Sequence, residues 1–249
     1  MPAVSESRYM VQASWEDVPH LSEQSKIDML SSTPPHMVEA RSAGEPTMGS
    51  GNVYPIPIKE ITVQPFQFGK FWKRGYALDV GWNRTAALWG AQSPSDGVLF
   101  VYAEHYRGRA IPAEHIAAIK ARGDWITGAI DPAARGRGQG DGKVLLTEYR
   151  NGGLKLIPAV NAVDAGLTRV WEMLSTGQLK VFSTLQNFFA EYRVYRRDED
   201  GKIIEEHQDH LMDCLRYLVM TWDKIATLPA VQQLTGARGF GSADSKAGY

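Results

Sequence analysis

Residues 74–82 read RGYALDVGW, and this short stretch is the starting point for predicting the fold. Its apolar residues predict a buried strand that Gly81 ends. Strand alternation places Asp79 on the same face as Ala77. An ionised aspartate among apolar neighbours is costly unless it is paired or bound to a metal. Asp79 is therefore either the cap of the next turn or a metal ligand, and this stretch alone leaves both interpretations open.

The segments around this strand predict an α/β fold. Two more strands follow closely, over 85–91 and 97–106, and indicate an antiparallel meander. The elements predicted after them are helices over 112–122, 144–150, 163–175, 184–192 and 208–224, strands over 125–130, 154–157 and 179–182, and a hairpin over 192–206. This order predicts a mixed five-stranded sheet, antiparallel at its start and parallel later, flanked by helices.

Composition divides the chain into three zones. Residues 1–70 are rich in Pro, Ser and Met and predict an extended arm with short helices over 21–30 and 35–43. Residues 71–227 carry the predicted α/β domain. Residues 228–249 are rich in Gly, Ala and Ser, which predicts a disordered tail.

The overall composition limits the function classes. The 249 residues carry a net charge of -1, so any nucleic-acid binding must use a local basic patch. The single cysteine, Cys214, excludes a disulfide framework and a zinc site built on cysteines, and fits a reducing compartment. The sequence contains no G-x-x-x-x-G-K-[ST] phosphate loop, no run apolar enough to span a membrane and no secretory signal at its N-terminus.

Two further places carry potential metal ligands. Asp131 follows an apolar strand in WITGAIDP, where it is either a turn-capping residue or a second strand-end carboxylate. In HQDHLMDCLRY, helical spacing places Asp209, His210 and Asp213 within one sector of roughly 100°. That cluster is either a solvated acidic first turn or a set of ligands.

Taken together, these residues predict a metal-dependent phosphodiesterase. Hard divalent cations such as Mg²⁺ or Mn²⁺ bind several oxygen ligands, and two such ions can activate water and stabilise a leaving oxygen. We expect Asp79 to bridge both ions and Asp131 and Asp213 to complete one shell each. Because these carboxylates repel one another, we also expect a raised pKa for at least one of them before a cation arrives.

A basic loop follows Asp131 and predicts a contact with DNA. It reads RGRGQGDGK, residues 135–143, in which glycines allow close approach to a phosphate and basic side chains neutralise it. The predicted DNA-binding residues are Arg135, Arg137 and Lys143. An ordinary flexible loop is the alternative.

The motifs LDVGW, IDP and DHLMDCLRY resemble the C-terminal nuclease domain of tailed-phage terminase large subunits, over about residues 70–227. The resemblance implies an RNase H-like (RuvC-like) fold and a Mg²⁺- or Mn²⁺-dependent endonuclease that cuts concatemeric viral double-stranded DNA during genome packaging. By motif it assigns Asp79, Asp131 and Asp213 as acidic ligands and His210 as a partner, and leaves open whether Asp209 or Asp213 dominates.

The resemblance also implies partners and a setting. The family's ATPase motor domain has no counterpart here, so we expect the chain to be a piece of a longer protein in which residues 1–70 lead from that motor. The implied partners are double-stranded DNA, the ATPase domain in cis, the portal protein and the small terminase subunit, and no membrane. The implied location is the cytoplasm of the infected bacterial cell.

Other interpretations stay open at this stage. The same fold serves junction resolvases, RNA:DNA hybrid nucleases and transposases. An actin-like or sugar-kinase ATP-binding protein also carries an Asp-x-Gly before a hairpin, but it needs a second related half. A DNA-docking module without catalytic activity is the third alternative.

Overall fold

We describe the protein from a computed structural model of the whole chain. The structure describes residues 3–5, 8–9, 15, 21–32, 51–69, 71–135, 144–198, 201–204 and 209–229. The helix predicted over 35–43 and the tail predicted over 228–249, apart from residues 228 and 229, lie outside these ranges. No described helix combines the length and the apolar character that crossing a bilayer requires.

Within the described ranges, nine strands form two sheets. Strands β1 (Ala3–Ser5) and β2 (Arg8–Tyr9) form a small antiparallel pair. The main sheet has the order β3-β9-β6-β5-β4-β7-β8. Its strands are β3 (Thr62–Val63), β4 (Lys73–Asp79), β5 (Thr85–Gln92), β6 (Leu99–Arg107), β7 (Thr127–Ile130), β8 (Lys155–Pro158) and β9 (Leu179–Phe182).

Helices flank the main sheet. In chain order they are α1 (Glu23–Ser32), α2 (Ile58–Ile61), α3 (Pro112–Lys120), α4 (Leu145–Asn151), α5 (Val163–Ser175), α6 (Gln186–Val194) and α7 (His210–Ile225), with a short 3₁₀ helix, Pro132–Arg135, after β7. The proline at the start of α3 suits the first turn, because the missing N–H would have no partner there.

The predicted mixed α/β fold is confirmed, with two more strands than the five predicted. Strands β4, β5 and β6 form the predicted antiparallel meander, and β7 and β8 add to β4 in parallel. Strand β9 was predicted as a short strand, and it joins the sheet by pairing in parallel with β6. The two-residue β3 pairs in parallel with the other edge of β9.

The hairpin predicted over 192–206 is wrong in extent. Helix α6 continues through Val194, and among the described residues of this segment the antiparallel pairing is a single bridge between Arg197 and Ile203. The backbone turns at Gly201, with a φ of 79° that favours glycine.

The last helix packs across one face of the sheet. Helix α7 buries most of its length against β4 and β5. Glycine at position 90 permits the close approach, because a Cβ there would lie 3.0 Å from Trp222 Cζ3. This packing fixes where the N-terminus of α7 lies relative to the end of β4.

The boundary predicted near residue 70 stays a prediction, but part of the segment before it belongs to the core. Val53, Tyr54 and Ile61 are buried, and Tyr54 stacks on Tyr192 of α6 with ring centroids 6.1 Å apart. The described part of the arm from residue 51 onward therefore packs on the domain.

Candidate active site

Two of the predicted acidic residues lie at the carboxyl ends of neighbouring strands. Asp79 is the last residue of β4, and Asp131 directly follows β7. The two strands are parallel, with Leu78 opposite Ile130, so both ends fall at the same edge of the sheet. The backbone N–H of Asp131 donates to the carbonyl of Leu78 at 2.9 Å, which fixes the two aspartates side by side along the edge.

Helix α7 begins at this edge and brings His210 to Asp79. His210 Nδ1 and Asp79 Oδ2 share a hydrogen bond of 2.7 Å. The Asp79 side chain is only 14% exposed, so the bond is partly shielded from water. The pKa of His210 is raised, first by this hydrogen bond and then, against the opposing effect of burial, by the negative charge of Asp79.

Asp131 combines a turn-capping role with a contact to α7. Its Oδ1 accepts the backbone N–H of Ala133 at 3.0 Å, as expected of an aspartate that starts a helical turn. The same oxygen accepts the hydroxyl of Tyr217 at 3.2 Å. The two interpretations offered from the sequence are therefore compatible, since one carboxylate caps the turn and faces the helix that carries Asp213.

Asp213 lies one turn into α7 and is held by a buried arginine. Arg216 Nη2 donates to Asp213 Oδ1 at 2.6 Å, and Nη1 donates to Asn161. Burial raises the pKa of Asp213, and the charges of Asp79 and Asp131 raise it further, against the lowering effect of Arg216. The expectation that at least one of the three carboxylates has a raised pKa is confirmed.

Asp209 precedes α7 and belongs to the same acidic cluster. Burial, followed by repulsion from Asp213, raises its pKa to about 6. Its side chain forms no capping hydrogen bond with the helix. The four carboxylates, of Asp79, Asp131, Asp209 and Asp213, therefore lie close enough to influence one another electrostatically.

A buried glutamate missed in the sequence reasoning caps α7. Glu191 of α6 is 4% exposed, and its Oε2 accepts the backbone N–H groups of Leu211 at 2.7 Å and Met212 at 3.3 Å. Burial raises the pKa of Glu191 to about 7. The only signal in the sequence was an acidic residue inside the aromatic run FFAEYR, which gives no indication of the helix it would meet.

The donor chemistry of the cluster fits a hard divalent cation. Four carboxylates supply oxygen ligands, and their mutual repulsion is what a cation would relieve. Among the described residues, however, no three His, Cys, Asp or Glu side chains form a ready-made metal cage. Asp213 pairs with Arg216 through its Oδ1 and Asp79 with His210 through its Oδ2, so each carboxylate has a second oxygen outside these contacts.

The predicted DNA-binding loop falls largely outside the described ranges. Arg137 and Lys143 lie outside them, and so does the side chain of Arg135, the residue that ends the 3₁₀ helix. The contact of these residues with DNA stays a prediction.

The chain is similar to known proteins in sequence and in structure. It is 31% identical over 221 residues to the terminase large subunit of Enterobacteria phage LP7 and, at the same identity and length, to that of Salmonella phage P22. These matches cover 86% of this chain but 46% and 44% of the relatives, so the chain spans less than half their length.

The structural comparison points to one part of those relatives. The solved structure of the P22 large terminase nuclease domain superposes with a TM-score of 0.64 at 28% identity. The match covers 73% of this chain and 97% of that domain. No protein-family model matches the chain.

Proposed function

The chain belongs to the terminase large subunit family and corresponds to its nuclease domain, and from this premise we propose that it is an endonuclease that cuts concatemeric viral double-stranded DNA during genome packaging. The observation that carries the proposal is the acidic cluster where β4, β7 and α7 meet. We propose Asp79, Asp131 and Asp213 as the catalytic and metal-binding carboxylates, with Asp209 and His210 beside them.

The proposed cofactor is Mg²⁺ or Mn²⁺, with two ions in the site. Asp79 would contribute to both, and Asp131 and Asp213 to one each. Ions in such a site stabilise negative charge on a phosphate and make water a stronger nucleophile. Of the helical acids, Asp213 is the better-supported ligand because it is influenced by both Asp79 and Asp131.

The remaining residues prepare the carboxylates for this role. His210 orients Asp79 through the hydrogen bond at its Nδ1, and the same hydrogen bond raises the pKa of His210. Arg216 balances the charge of Asp213, and its contact with Asn161 holds the guanidinium in place. Glu191 fixes the first turn of α7, on which both His210 and Asp213 depend.

The partners follow from the family and are part of the proposal. Double-stranded DNA is the substrate, with Arg135, Arg137 and Lys143 contributing to its binding. In the whole protein the chain would act beside the ATPase domain in cis, the portal protein and the small terminase subunit. The setting is the cytoplasm of the infected bacterial cell.

Plasmid nicking tests the proposed function. Supercoiled plasmid is incubated in Mg²⁺ or in Mn²⁺ with the parent chain and with Asp79→Asn. We expect the parent to nick DNA. The nicking rate of the variant should fall by more than the roughly 10–100-fold that is typical of removing a residue that only supports a metal ligand.

The matched control for this change is Asp164→Asn, which alters an exposed aspartate on α5 and should nick like the parent. Nicking by Asp79→Asn at the parent rate would contradict the site assignment. Absence of nicking by the parent in both ions would contradict the proposed activity of this chain.

A further inference from the structure

The turn directly after Asp79 displays an exposed tryptophan. Residues 80–84 connect β4 to β5, and Trp82 at their centre is 69% exposed. Single exposed aromatic residues are common on protein surfaces. This one lies three residues beyond a proposed catalytic carboxylate, at the same edge of the sheet.

The turn is fixed in place by the loop that follows β6. The backbone N–H of Arg109 donates to the carbonyl of Trp82 at 2.9 Å. A Cβ at Gly108 would overlap the carbonyl oxygen of Asn83, so this close backbone contact requires glycine there. Arg109 adopts a φ of 53°, a left-handed conformation that is uncommon for arginine. The two loops therefore form one rigid surface.

This surface encloses a basic groove. An open groove of about 500 Å³ is lined by Asn83, Arg84, Gly108 and Arg109. The lining provides the guanidinium group of Arg109, that of Arg84, which lies over the Tyr106 ring 4.3 Å from its centroid, one amide and a glycine backbone. None of these four residues is acidic. Arginine and amide donors beside exposed backbone are the groups that bind phosphate oxygens.

We propose that this groove binds the sugar-phosphate backbone of the DNA strand next to the phosphate that is cut, with Trp82 against the adjacent sugar and base edge. The inference rests on the proposed function and adds a binding surface to it. The cluster of Asp79, Asp131, Asp209 and Asp213 repels DNA, and the whole chain is slightly negative. Substrate binding therefore needs local positive charge beside the carboxylates, and the groove supplies it.

The test measures DNA binding without cleavage. Fluorescence anisotropy of a labelled DNA duplex is followed in chelator with the full chain, Trp82→Ala, Trp82→Phe and Arg109→Asn. Asparagine tolerates the left-handed backbone, so this variant removes the charge without adding strain. The matched control for Trp82→Ala is Phe71→Ala, which truncates another exposed aromatic residue, 73% exposed. The matched control for Arg109→Asn is Arg169→Asn, which removes an exposed charge on α5.

We expect Trp82→Ala to raise the Kd for DNA about five-fold or more, because five-fold is the lower end of the effect of losing an aromatic contact with a nucleic acid. Trp82→Phe keeps an aromatic ring and should raise the Kd less. Arg109→Asn should lower the slope of log Kd against log salt by about one. The controls should bind like the parent. Parent-like binding by both Trp82→Ala and Arg109→Asn would overturn the proposal.

The two proposals fail separately. If the parent nicks plasmid while the groove variants bind normally, the groove is wrong and the nuclease stands. If the parent never nicks DNA but the groove variants bind weakly, the nuclease is wrong and the groove stands as a DNA-binding surface.

Discussion

At the scale of single residues, the candidate site depends on the partners of its carboxylates: His210 shares a hydrogen bond with Asp79, and Arg216 donates to Asp213. Asp79 and Asp131 each had two interpretations. For Asp131 the structure shows the turn cap, and its role as a metal ligand stays a prediction. Glu191 and Arg216 were missed because their importance comes from burial against distant segments. A buried charge is recognisable only once its surroundings are known, since spacing along the chain gives no measure of desolvation.

The raised pKa of Asp209 predicts a stability effect that depends on pH. Its folded-state pKa of about 6 lies above the ordinary value, so the ionised form destabilises the fold at higher pH and this cost disappears as the pH falls. In chelator, Asp209→Asn should raise the unfolding temperature above about pH 7 and give no gain below about pH 4. Thermal unfolding of the parent and of Asp209→Asn between about pH 4 and pH 7 measures this difference in unfolding temperature.

The control for this measurement is Asp164→Asn, which makes the same change of carboxylate to amide on the exposed surface of α5. A stabilisation of Asp209→Asn that is equal at both ends of the pH range would contradict the explanation by burial and repulsion.

At the scale of elements, periodicity predicted most of the helices and strands of the domain. Helix α5 and strand β9 have the predicted bounds, and the meander of β4, β5 and β6 follows the predicted order. The errors fall where tertiary contacts decide. Strand β3 is two residues long and exists by pairing with β9, and α6 extends into the predicted hairpin.

The cap that Glu191 provides to α7 predicts an effect on stability. Glu191→Ala leaves the N–H groups of Leu211 and Met212 buried without their acceptor, which should lower the free energy of unfolding by about 1–3 kcal/mol. Glu191→Gln keeps an acceptor oxygen and should lose less. Denaturant unfolding compares both variants with the parent.

Glu172→Ala serves as the control for this comparison, since it removes an exposed glutamate whose ion pair with Arg169 should contribute about 0–1 kcal/mol. If Glu191→Ala and Glu172→Ala lowered the free energy of unfolding equally, the buried cap would contribute no more to stability than an exposed glutamate.

At the scale of the whole molecule, the site exists because three distant parts of the chain meet at one edge of the sheet. The order of strands places the ends of β4 and β7 together, and the packing of α7 across the sheet brings Asp213 to them. Strand order could be predicted from connection rules. The pairing of Arg216 with Asn161, across 55 residues, could not, because it depends on how α7 packs against the segment before α5.

The central claim is that these carboxylates hold the catalytic cations, and a Mn²⁺-soaked crystal with anomalous diffraction tests it most directly. The account predicts Mn²⁺ bound by Asp79, Asp131 and Asp213, with Asp213 turned from Arg216 toward the ion. Mn²⁺ bound only at positions away from these three aspartates would contradict it.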